Sequence, residues 1–173
     1  RWQGRVNFPL RIARYRDMRV LEAEHYEEGA PVAGLEERSH VLTVPTPDKG
    51  FVNLTRAIGA WLETIGAQGG LLTVFVTHTS ASLTIQENAD PNVQVDLLDA
   101  LDRFAPEDHP YAHHEEGPDD MPSHIKSMLT SVSLSIPVRA GSMTLGTWQG
   151  IYLVEHRAAP HKRQVVLSYI GRV

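Results

Sequence analysis

Toward its C-terminus the chain places apolar residues at every second position: Val132, Leu134, Ile136 and Val138 alternate with polar neighbours, and Val165 to Ile170 closes the chain as a strand. A period of two belongs to a strand with one wet face and one face on a core. Met143 to Val154 supplies one or two more strands. Further upstream, Leu71 to Thr77 is a continuous β-branched run of the kind buried on both faces, and Ser82 to Gln86 alternates as its successor. Helical spacing appears between these strands. Phe51, Leu54, Ile58, Trp61, Leu62 and Ile65 recur every three or four residues and stop at Gly66, followed by Gly69 and Gly70. A second helix opens at Asp90-Pro91, runs through Val93, Leu97, Leu98, Leu101 and Phe104, and ends before Pro106. A short third helix starts at Pro122, with Ile125, Met128 and Leu129 on one face and Asp119 or Asp120 placed to cap it. Strands and helices mixed without a βαβ period predict the α+β class: a single compact domain with a mixed, mainly antiparallel sheet and a few helices.

At 173 residues the chain suits one domain with a proper core. Residues 39–173 carry the compact pattern, beginning with a short strand His40–Val44 and the turn Pro45 to Gly50. Residues 1–38 form an N-terminal extension in which Arg1, Arg5, Arg11, Arg14, Arg16 and Arg19 precede Glu22, Glu24, Glu27, Glu28, Glu36 and Glu37. Such segregated charge suits a solvated or subunit-wrapping arm. A net charge of −5 argues against a nucleic-acid partner, because a general binder needs a basic face to collect phosphates. No apolar run reaches the length of a membrane span, so no membrane partner and a cytoplasmic location are expected. Cysteine is absent while histidines number nine, so a transition metal would be held by imidazole and carboxylate groups.

The chemistry-bearing residues fall in three stretches. His78-Thr79-Ser80 follows the apolar Leu71 run. His78 there is a candidate ligand or acid–base group, or equally a ring whose nitrogens satisfy loop carbonyls. The aperiodic segment from Glu107 to Asp120 contains His113, His114, Glu115, Glu116, Asp119 and Asp120, with His124 just beyond on the third helix. Imidazoles and carboxylates at that density suit zinc, and the carboxylates admit Mg²⁺ or Mn²⁺; a solvated polar loop is the alternative. Finally Leu145 to Arg157 ends a glycine-containing strand pattern on Glu155, His156 and Arg157. Arg157 and Arg163 are candidate clamps for phosphate or carboxylate, or ordinary solvated arginines.

Together, His78 to Asp90, Gly117 to Lys126 and Leu145 to Arg157 resemble the YjbQ-like family, often labelled secondary thiamine-phosphate synthase, over about position 40 to the C-terminus. The resemblance implies a compact α+β subunit in a homotrimer with sites near subunit boundaries. It implies a divalent metal, zinc foremost, with Mg²⁺ or Mn²⁺ as alternatives. The family's histidine motifs fall on His78, His113, His124 and His156. On this reading His113, His124 and His156 hold the metal, with His114 an alternative to its neighbour. His78, Glu87 and Glu155 are the candidate catalytic groups. Thr79, Ser80, Asn88, Asp119, Gln149 and Arg157 would bind the substrate. A small phosphorylated molecule is the expected substrate, with thiamine phosphate synthase-like activity implied; a non-catalytic trimeric binding module is the alternative.

Overall fold

A computed structural model describes residues 34–173, and the arginine-rich and acidic stretch before position 34 lies outside them. Eleven elements follow one another: β1 (Glu36–Thr46), β2 (Gly50–Asn53), α1 (Thr55–Thr64), β3 (Gly69–Val76), β4 (Ala81–Glu87), α2 (Pro91–Phe104), α3 (Asp120–Leu129), β5 (Ser133–Arg139), β6 (Ser142–Met143), β7 (Gln149–Glu155) and β8 (His161–Arg172). The strands form a five-stranded sheet, ordered β1-β8-β3-β5-β6, and a three-stranded sheet, ordered β2-β7-β4. Every strand pairing among the described residues is antiparallel, so the expected mixed character is absent. The α+β class holds.

The core lies between one face of the larger sheet, α1 and the smaller sheet. Leu72, Val74, Val76, Ile136, Val165, Leu167 and Tyr169 come from the first, Ile58 and Leu62 from α1, and Leu83, Ile151 and Leu153 from the third. Alternation decides which residues enter. In β3, Leu72 and Val74 are buried whereas Leu71 and Phe75 are exposed, so this run is covered on one face rather than both. β7 is buried throughout after its first residue.

Several boundaries differ from those the spacing predicts. β1 begins at Glu36, ahead of the expected strand, and pairs with β8 along its whole length. Phe51 belongs to β2, paired with Val154, and the helix begins only at Thr55, whose backbone N–H donates to Asn53 Oδ1 at 2.9 Å. A strand and a helix in direct succession merged into one apparent period. α2 matches its cues: Pro91 opens it and the Asp90 carboxylate accepts from the Asn92 N–H. In α3 the expected face is reversed. Pro122, Ser123, Lys126 and Ser127 are buried, whereas Met128 is 79% exposed and Leu129 also faces outward. No helix among the described residues is long and apolar enough to cross a membrane.

Candidate metal centre

The loop before α3 and the first turns of that helix bring three donor groups together. Asp120 opens α3 and His124 stands four residues on, so both project from one side of the helix. His113 reaches them from the loop, with ring centroids of His113 and His124 5.6 Å apart. Asp120 Oδ2 lies 2.7 Å from His113 Nε2 and 3.6 Å from His124 Nε2. All three ligand atoms fall within 4.8 Å of one another.

Their surroundings hold these groups in place. His124 Nδ1 lies 3.1 Å from the Thr79 carbonyl and, as a donor to it, turns the Nε2 lone pair toward Asp120. The Arg157 guanidinium pairs with Asp120 Oδ1, donates to the Glu116 carbonyl at 2.8 Å, and lies 3.2 Å from Asp119 Oδ1. Asp119 Oδ2 accepts from the Ala158 N–H at 2.8 Å. Burial works against the Asp119 charge, but the Ala158 N–H and the Arg157 guanidinium outweigh it and hold the carboxyl below its ordinary range. Gly117, with φ +109°, makes the bend that leads the loop into α3.

Two buried atoms in this arrangement lack a hydrogen-bond partner: Arg157 Nε, which still lies 3.2 Å from Asp119 Oδ1, and Asp120 Oδ2. Asp120 Oδ2 is buried, yet no donor meets it in hydrogen-bonding geometry. An unsatisfied buried acceptor of this kind costs on the order of 1–3 kcal/mol, more when charged. A cation between the carboxylate and the two imidazoles would supply the missing partner. Donor atoms around a tetrahedral zinc ion stand roughly 3.3 Å apart, and the observed 2.7 and 3.6 Å bracket that spacing. The donor set therefore fits a metal, and two imidazoles favour zinc over magnesium.

The remaining predicted residues divide. Thr79, Asp119 and Arg157 lie around the centre through the contacts above. His114 turns away, its Nδ1 2.9 Å from the Ala112 carbonyl, so His113 is the member of that pair beside Asp120. His156 is buried elsewhere, its Nε2 2.9 Å from Ser82 Oγ, and is not part of the three-residue cluster. Burial drives its pKa down to about 4, assisted by the nearby Lys126 charge. Glu155 is wholly buried, with Arg163 donating to both carboxylate oxygens at 2.6 Å and Thr46 Oγ1 at 2.6 Å. Burial opposes its charge, but Arg163, Thr46 and the Arg157 N–H hold its pKa below the ordinary value. His78 Nε2 accepts from the Gln164 N–H at 2.9 Å. Burial and then the Arg163 charge push its pKa down.

Glu87, Asn88 and Gln149 form a separate group. Glu87 pairs with Gln149 at one end of the β4–β7 ladder, and Ala81 pairs with Glu155 at the other. Seven residues of strand put about 20 Å between those ends. Within one chain, contrary to the motif grouping, they do not surround a common site with the histidines.

The protein-family model described as UPF0047 protein YjbQ-like matches residues 40–172. The chain belongs to this YjbQ-like family. A Synechocystis relative, UPF0047 protein sll1880, is 46% identical over 142 residues, covering 82% of this chain and 97% of its own. UPF0047 protein YjbQ of Salmonella typhimurium is 43% identical and covers 75% of this chain and 95% of its own. Among solved structures, the conserved hypothetical protein TT1486 of Thermus thermophilus is 42% identical with a TM-score of 0.67, covering 74% of this chain and 97% of that one. A YbjQ-like protein of unknown function from Sulfolobus solfataricus shares the fold at a TM-score of 0.75 and 22% identity, with coverage of 80% and 100%.

Proposed function

We propose that this protein is a cytoplasmic, divalent-metal-dependent enzyme acting on a small phosphorylated compound, with thiamine phosphate synthase-like chemistry within its range. The observation that carries the reading is the donorless carboxylate oxygen of Asp120, facing two imidazole nitrogens. His113, Asp120 and His124 would hold the ion. Zinc is the preferred candidate, with Mg²⁺ or Mn²⁺ as alternatives. Bound there, it supplies positive charge beside a phosphate or diphosphate leaving group.

The chain's own groups do the rest. Arg157 fixes Asp120 through Oδ1 and leaves Oδ2 free. The Thr79 carbonyl orients His124. The hydroxyls of Thr79 and Ser80 make no hydrogen bond among the described residues, so they are available to donate to phosphate oxygens. Arg157 is spent on Asp119, Asp120 and Glu116, and serves the site as a clamp.

A homotrimer is part of the proposal. It is supported by the outward face of the larger sheet, where Val41, Leu71, Phe75 and Ile170 are exposed on one side. A neighbouring copy would cover that face. The engagement of Glu155 by Arg163 favours a second reading, a metal-binding module without turnover, because that carboxylate is not free to act as a base.

Elemental analysis of freshly purified protein tests the first reading. A bound divalent ion is expected, and a His113→Ala/His124→Ala variant should lose both the ion and formation of thiamine phosphate. Unaltered protein free of metal, or a variant that retains it, would overturn the assignment. Metal loss without any measurable turnover in either protein would leave the second reading standing.

A further inference from the structure

A small cavity lies between α2, α3 and the end of β7, away from the three metal-facing donors. Its volume is about 100 Å³, and Leu98, Leu101, Lys49, Asp102, Lys126 and His156 line it. Pockets that engulf an organic ligand run to roughly 300–1,000 Å³, so this one suits a single small oxyanion or the end group of a larger molecule. Asp120 and His124 project from one side of α3, and Lys126, two residues further, lies about 200° around the helix. α3 therefore separates this cavity from the metal-facing cluster.

The cavity wall carries charges of both signs, Lys49 and Lys126 against Asp102 and Glu155, and its buried ammonium is incompletely satisfied. The Lys126 side chain is 3% exposed, and its ammonium bonds among the described residues only to Asp102, whose side chain is 52% exposed. An ammonium has three protons to donate, and a buried one needs them met. Lys49, whose side chain is 23% exposed, pairs with Glu107, which is 40% exposed. Both counter-ions are surface carboxylates that can turn to water, and the Lys49–Glu107 pair is of the weak surface kind. Glu155, which also borders the cavity, has its charge matched by Arg163. The His156 ring, bonded to Ser82 through Nε2, adds a polar wall and leaves Nδ1 without a partner among the described residues.

We propose that this cavity is an anion pocket that seats a phosphoryl group on Lys126 and Lys49, with Asp102 and Glu107 holding the two ammonium groups until the anion arrives. A doubly charged phosphoryl group matches two lysines, and the carboxylates can turn to solvent when it enters. The pocket deepens the reading of a phosphorylated substrate and rests on that reading for the identity of the anion. It also accounts for the burial of a lysine whose partner lies at the surface.

The test uses the full chain, with inorganic phosphate and methyl phosphate as probes and sodium chloride at matched ionic strength as reference. Melting temperature should rise with either probe and saturate as for one site. Lys126→Gln should weaken the apparent affinity at least about tenfold, the loss expected for a charge-assisted hydrogen bond. Asp102→Asn should tighten it several-fold, because the competing carboxylate is removed; the Asn side-chain oxygen still accepts from the Lys126 ammonium, so this variant decides the matter even if Lys126→Gln does not fold. Stabilisation no greater than chloride gives, or unchanged affinity in Asp102→Asn, would overturn the pocket. So would phosphate binding that is lost in His124→Ala but kept in Lys126→Gln, which would put the anion at the metal-facing cluster. Phosphate binding retained in a His124→Ala variant, beside wild-type protein free of metal, would uphold the pocket and sink the metal reading alone.

Discussion

Burial holds the His156 imidazole at about 4, against an ordinary 6.5, so the unfolded chain accepts a proton that the folded chain refuses. The sign follows from that difference. Stability is complete above pH 6.5 and is lost as the pH falls toward 4, by roughly 3 kcal/mol across the interval. Denaturant unfolding of the native protein and of His156→Gln should show it: the variant, whatever its stability at pH 7.5, should lose most of the slope between those pH values. An equal slope in both would assign the acid sensitivity to another group. Glu155, also held below its ordinary range, adds its own loss further down the scale. Its partner carries a separate expectation. Arg163→Met leaves a wholly buried carboxylate unpaired, at a cost of about 3–5 kcal/mol, to be read from the shift in urea midpoint. At this scale the sequence was partly legible. His113, His124, Asp119 and Arg157 were all identifiable as candidates, whereas Asp120, read as a cap and as one of several loop carboxylates without being singled out as a ligand, is the carboxylate they surround. Its spacing of four from His124 was the available signal. The burial of Glu155 with Arg163 and Thr46 was not readable, because it depends on how β1, β7 and β8 meet.

The loop and helix that carry the centre act as one element. Gly117 sits at φ +109°, a conformation that a side chain strains at a cost of about 1–3 kcal/mol. Gly117→Ala should therefore lower the melting temperature and, on the proposed metal reading, loosen metal retention with it, since the same bend sets Glu116, Asp119 and Asp120 around Arg157. Loss of stability with metal content intact would show that the bend matters to folding alone. The start and length of α2 were legible because Asp90, Pro91 and Pro106 are local signals. The orientation of α3 was not. Ile125, Met128 and Leu129 look like a core face, but Ser127 donates to the Ala81 carbonyl and Lys126 pairs with Asp102, so the small and polar side packs inward. Periodicity reports that a helix has two faces, and the neighbours decide which one is covered.

For the whole molecule, the α+β class was readable from the order of elements, while the division into two antiparallel sheets was not, because pairings such as β3 with β8 join distant segments. The apolar run in β3 predicted two covered faces, and one chain covers one of them. The proposed homotrimer would cover the other. A Leu71→Glu/Phe75→Glu variant should then sediment as a monomer with its core intact, and an unchanged mass would refute that use of the face. The donors of the metal-facing cluster all lie between His113 and His124, within a single short stretch of chain. Little conformational freedom is forfeited in gathering them, so the denatured polypeptide should itself chelate zinc. The ion would then protect against heat less than its native affinity implies, and a peptide cut from that stretch should compete for it measurably.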